Sequence, residues 1–217
     1  MSEHPANNIY EELTNYTLSK CQIFYDEVRQ LLPQLPAEMQ FTLDNSRLIN
    51  GYASGGGALS PREIAVAYDP FFAASTDEKE AELRATVFHE AYHVAQNFTF
   101  EIPKPSPMEN AIYEGAATVF EREMAASSPR WGEYPADVST WVEEVKALPP
   151  DYDWRKWKFY DPETDRSWIL YRTGTFIVDR ALARNPQLTI VNLSSQKAYT
   201  KPQSLRHFGL YKLRLCV

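Results

Sequence analysis

The chain is poor in cysteine: only Cys21 and Cys216 occur in 217 residues, nearly a whole chain apart. Two such thiols do not make a disulfide scaffold and fit a reducing compartment. No apolar run approaches the roughly 20 residues that a membrane helix needs. The opening, MSEHPANNIYEEL, has neither a basic n-region nor an apolar h-region, so no signal peptide is expected. A cytoplasmic protein without a membrane partner is the expectation. Basic charge is also in deficit, with 22 Lys and Arg against 29 Asp and Glu and a net charge of -7. Such a surface repels phosphate backbones, so nucleic acid is not expected as a partner. There is no internal repeat and no low-complexity tract. The hydrophobic share of 44% and charged share of 24% are those of a globular chain. The length suits a single domain over residues 1–217.

Periodicity divides that domain. Ile9, Leu13, Tyr16, Cys21, Phe24, Val28 and Leu32 predict a first helix over 8–32, which Pro33 and Pro36 end. Met39, Phe41 and Leu43 alternate, and 48–53 and 63–68 read as two further strands. Gly55, Gly56, Gly57 and Ser60-Pro61 supply turn chemistry between them. From Ser75 the pattern is helical. Ser75 and Glu78 form a capping box for a helix over about 77–97. Ser106, Pro107 and Glu109 open another that runs to about Ala126. Shorter helices are expected at 136–148 and 167–183, around an aromatic loop, DYDWRKWKFYDPETD, and one or two more after Pro186. The fold class is therefore α+β: a small antiparallel or mixed sheet at about 38–74, then a mostly helical part over 75–217.

His89-Glu90-Ala91-Tyr92-His93 is an H-E-x-x-H motif inside the helix that Ser75 caps. Four residues turn a helix through about 400°, so the two histidines share one face and can reach one zinc ion. Glu90 is one step round, beside the metal and not on it, where it can take a proton from water. A catalytic zinc needs a third protein ligand. The extended pattern that continues with Gly and His is absent, because Gln96 and Thr99 stand at those positions. Glu109 and Glu114 remain, with 15 and 20 residues intervening after His93 (94–108 and 94–113). Glu114 is the better placed, mid-helix, whereas Glu109 is expected in the cap. Gly115, Ala116 and Ala117 are small enough to let this helix approach the motif helix closely.

HEAYH followed by Glu114 in Tyr-Glu-Gly-Ala-Ala resembles the gluzincins, the thermolysin-like zinc metallopeptidases. ENAIYEGAATVFE is closer still to a bacterial family of predicted Zn-dependent proteases, and the resemblance covers about residues 50–185. It implies a zincin-like fold, one Zn2+ per chain on His89, His93 and Glu114, Glu90 as general base, and a peptide or protein substrate. It further implies that Tyr171, in Tyr171-Arg172-Thr173-Gly174, stabilises the oxyanion, with Arg172 or His207 as substitutes. The strand 63–68 stands where that group has its active-site edge strand, to which an extended peptide can add; a plain hairpin is the competing reading. The Asp that thermolysin-like enzymes often carry four residues after the ligand Glu is Thr118 here, so support for a ligand histidine is left to Thr118, Glu121 or another group. Trp154, Trp157, Tyr160 and Trp168 either line a specificity pocket or pack under their loop. Two rivals to a peptidase are open: another metal-dependent hydrolase, and a non-catalytic zinc domain that binds a partner.

Overall fold

The computed structural model describes residues 5–100 and 105–194, with the side chains described from Tyr10 onward. Chain contacts divide it at Lys104, Phe120 and Pro129 into two compact units. The first unit is the part before Lys104 together with Phe120–Ser128; the second is Lys104–Val119 together with the part from Pro129 on.

In the first unit, α1 (Pro5–Leu31) buries Cys21, Phe24, Tyr25 and Val28 at steps of three, one and three, the stripe of an amphipathic helix. Three strands follow: β1 (Gln40–Leu43), β2 (Ser54–Ser60) and β3 (Glu63–Tyr68). They form a mixed sheet in the order β1-β3-β2, with β1 parallel and β2 antiparallel to β3. β3 is thus the central strand, which explains its buried run Ile64–Tyr68. The expectation that it is an edge open to peptide addition is wrong: along Glu63–Val66 both of its sides are already paired. The expected strand at 48–53 is also displaced. Asn45–Arg47 is a 3-10 turn, and the second strand begins at Ser54 and runs through the three glycines.

The glycines are strand residues because the strand is crowded on both faces. A Cβ on Gly56 would stand 2.8 Å from Thr86 Cγ2 and 2.9 Å from Glu90 Cγ; one on Gly55 would stand 2.1 Å from the Arg47 carbonyl oxygen. α2 (Thr76–Ala95) covers that sheet, begun by the expected Ser75–Glu78 capping box and burying Leu83, Val87, Phe88 and Tyr92.

α3 (Pro107–Met124) is one continuous helix shared by the two units. Its start is the expected box: Ser106 Oγ accepts from the Glu109 N–H, and Glu109 accepts from the Ser106 N–H at 2.9 Å. Its last turns belong to the first unit, where Phe120 stacks on Phe88 and Tyr92 at 5.9 and 4.7 Å between ring centroids.

The second unit holds α4 (Val138–Ala147), α5 (Trp154–Lys158), a two-stranded hairpin of β4 (Tyr160–Asp161) and β5 (Arg166–Ser167), α6 (Ile169–Arg184) and α7 (Ile190–Leu193). One apolar cluster joins Ile112, Val142 and Ile177, and another joins Ala111, Trp141, Val145, Ile169 and Leu170. α3 and α6 cross backbone to backbone: a Cβ on Gly174 would stand 1.7 Å from the Ala111 carbonyl oxygen, and one on Gly115 2.0 Å from the Gly174 carbonyl carbon. Gly115 therefore serves a crossing with α6, and the partner expected for it, the motif helix, was the wrong one. The α+β class with a small mixed sheet is as expected, and no described helix is long and apolar enough to cross a membrane.

Candidate metal centre

His89, Glu90 and His93 lie on the buried face of α2, all within the last two turns of that helix. The i, i+4 spacing brings the imidazoles together edge to face, with ring centroids 4.7 Å apart and 82° between their planes, and their Nε2 atoms stand 3.1 Å apart. The other ring nitrogens point to acceptors. His89 Nδ1 is 3.0 Å from Glu121 Oε2, and His93 Nδ1 is 3.4 Å from Gln96 Oε1. A neutral histidine that donates its Nδ1 proton offers its Nε2 lone pair as an acceptor or a metal donor. At 3.1 Å the two Nε2 atoms are close enough to share one proton or one cation. Four-coordinate zinc holds nitrogen ligands at about 2.0–2.1 Å, which sets them about 3.3 Å apart, close to what is seen.

Glu121 is 3% exposed, and Ser127 Oγ donates to its second oxygen at 3.0 Å. Of the groups expected to support a histidine there, Thr118, Glu121 or another, Glu121 is the one that meets His89. Thr118 does not, since its hydroxyl donates to the Glu114 carbonyl one turn back on its own helix. Seven residues are two turns, so Glu114 shares the face of α3 that carries Glu121. A third candidate donor comes from there: His89, His93 and Glu114 each offer one atom, all within 4.8 Å of one another, a group that could hold a metal ion. Glu114 is 1% exposed, and a carboxylate so buried needs a cation or donors beside it. Two imidazoles and a carboxylate are a donor set suited to zinc, and to other divalent first-row metals as well.

Glu90 follows His89 on the same helix, and its polar contact is to the sheet. Its Oε2 accepts from the Ala58 N–H at 2.8 Å, so the carboxylate is tied to the backbone of β2. The Ala58 carbonyl accepts in turn from the Phe100 N–H.

Around Glu114 the second unit supplies a group that sequence reasoning missed. Lys158, the last residue of α5, brings its Nζ to 2.6 Å from Glu114 Oε1 and to 5.5 Å from the centre of the Tyr171 ring. Burial pushes the Tyr113 phenol, next to Glu114 in sequence, up to about 12. Burial also raises the Tyr152 phenol, to which Asn110 donates and which feels the negative charge of Glu114. Tyr171 itself packs among Trp131, Trp168 and Lys158 on α6. Of the expected aromatic group, Trp168 and Trp154 each meet Phe159, and Trp168 also meets Trp131. Arg172 reaches the Arg130 carbonyl, and His207 lies outside the described residues. Cys21 is buried in the first unit with its thiol pushed up to about 12, so it offers no thiolate.

No protein-family model, no curated protein and no solved structure matches the chain.

Proposed function

We propose that the chain is a zinc-dependent peptidase with a zincin-like, gluzincin-type site. The observation that carries the reading is the convergence of His89, His93 and Glu114 at one point, with the Glu90 carboxylate on the same helix beside the histidines. Such a metal supplies Lewis acidity, which lowers the pKa of water to about 7 and polarises a carbonyl.

The chain's own groups do the rest. Glu121 and Gln96 fix the tautomers of the two histidines and aim their Nε2 atoms. Glu90 takes the proton of the attacking water and returns it to the leaving amine. Its bond to Ala58 holds the carboxylate in one orientation while it does so. An extended substrate would run along β2, the sheet edge that α2 covers, because β3 is paired on both sides. Ala58 is already engaged there by Glu90 and Phe100, so the strand left for main-chain pairing is the glycine stretch before it. Tyr171 keeps the role of oxyanion donor in this reading.

A second reading draws on the same bond. Clamping β2 onto α2 gives Glu90 a structural use, which a non-catalytic metal domain would also retain. Glu90→Gln separates the two. The amide keeps the shape but cannot accept a proton, so in a peptidase the variant holds its metal and loses at least about 10²-fold in activity. A fully active Glu90→Gln protein would remove Glu90 as base. Inactivity of both forms on every peptide tried would favour the metal domain.

A further inference from the structure

The Glu114 carboxylate already has a cation. Lys158 Nζ is 2.6 Å from Oε1, with the lysine side chain 19% exposed and the carboxylate 1%. The lysine stands at the end of a short, capped helix. Asp153 starts α5 by accepting from the Arg155 and Lys156 N–H groups, and Lys158 ends that helix. The ammonium also lies over the Tyr171 ring at 5.5 Å, a contact that stabilises a partly desolvated cation. A carboxylate, an ammonium at contact distance and an aromatic face make a small cation site whose occupant is a side chain.

A metal that uses Glu114 must share it with this ammonium. Two cations at one carboxylate repel each other, and inside a protein that repulsion is only partly screened. We propose that Lys158 is the resident counter-ion of Glu114 and competes with the metal for it, so that Lys158 sets how tightly the site holds its ion. The inference rests on the reading of Glu114 as a ligand. In the metal-free protein Lys158 keeps a buried charge compensated, and the fold tolerates loss of the metal. In the loaded protein the same charge weakens the hold. Lys158 acts through Glu114 and is a positioning residue.

Removing the charge moves the two states in opposite directions, and both movements favour binding. Without Lys158 the metal-free form loses the counter-ion of a buried carboxylate, and the loaded form loses a repulsion. Metal should therefore bind more tightly, although a side-chain contact has been deleted. A purely structural lysine would do the reverse.

The test is a competition titration of zinc against a chromophoric chelator, with thermal unfolding with and without zinc. Wild type, Lys158→Met, Lys158→Arg and Glu114→Gln are compared. Lys158→Met should bind zinc at least about tenfold more tightly and gain more thermal stability from zinc than wild type does. Lys158→Arg, which keeps the charge, should stay within about threefold of wild type. Lys158→Gln is carried alongside in case the Met variant does not fold, and the same tightening is expected. Equal or weaker zinc binding by the uncharged variants, with Glu114→Gln binding less than wild type, overturns the role of Lys158 and leaves Glu114 as a ligand. Failure of both uncharged variants to fold with zinc present also overturns it, since the metal should replace the lysine. Zinc binding by Glu114→Gln as tight as wild type overturns the ligand reading itself.

Discussion

Gly174→Ala tests how α3 and α6 are held together. The added methyl would stand 1.7 Å from the Ala111 carbonyl oxygen and 2.5 Å from its carbon. Non-bonded carbons settle at about 3.5–4.0 Å, so the overlap with the carbonyl carbon is about 1.0–1.5 Å. The obstructing atoms are helix backbone, which has no rotamer to change, so the helices must part. Overpacking ordinarily costs about 1–3 kcal/mol, and with backbone on both sides the upper end, about 3 kcal/mol, is expected. For a chain of this size that lowers Tm by roughly 6–12 °C. Thermal and urea unfolding of wild type, Gly174→Ala and Gly115→Ala measure it. The sign is informative, because alanine in a helix interior is otherwise favoured over glycine by about 1 kcal/mol. The two substitutions disturb one crossing, so the double variant should lose less than the sum. A Gly174→Ala protein as stable as wild type, or more so, would refute the backbone contact.

Glu121→Ala should leave the fold largely intact and weaken zinc binding by about 10–100-fold, because His89 loses the acceptor of its Nδ1 proton; unchanged affinity in a chelator competition would remove Glu121 from the site. Tyr171→Phe should lower kcat by about 10²-fold with a much smaller change in KM, the mark of a donor used only in the transition state. If kcat is unchanged and zinc affinity moves instead, Tyr171 serves Lys158, whose ammonium lies over its ring.

What could be read from the sequence was what is local. The H-E-x-x-H face and the Ser75 and Ser106 caps depend on contacts within one or two helical turns, and spacing alone specifies them. Glu114 could be singled out as a candidate because the Ser106 cap fixes where α3 starts and engages Glu109. Choosing Glu121 over Thr118 needed the third dimension: both are near the right place, but the threonine hydroxyl is satisfied by its own helix. Lys158 left no trace, since its partner is 44 residues away and its segment has no period. The only local signal was Asp153, a good N-cap ahead of Trp154–Lys158. The glycine triplet misled because glycine marks both turns and strands pressed between neighbours, and composition does not separate the two. β3 misled for a related reason: the order of strands in a sheet is a long-range property, though its buried run Ile64–Tyr68 hinted at a central position.

The most direct test of the metal centre is elemental analysis of the purified protein beside His93→Ala. His93 offers one of the three converging donors, and two donors do not hold a catalytic zinc. Wild type should carry about one zinc per chain and His93→Ala far less. Equal metal content in the two proteins, whether one ion or none, would contradict the account.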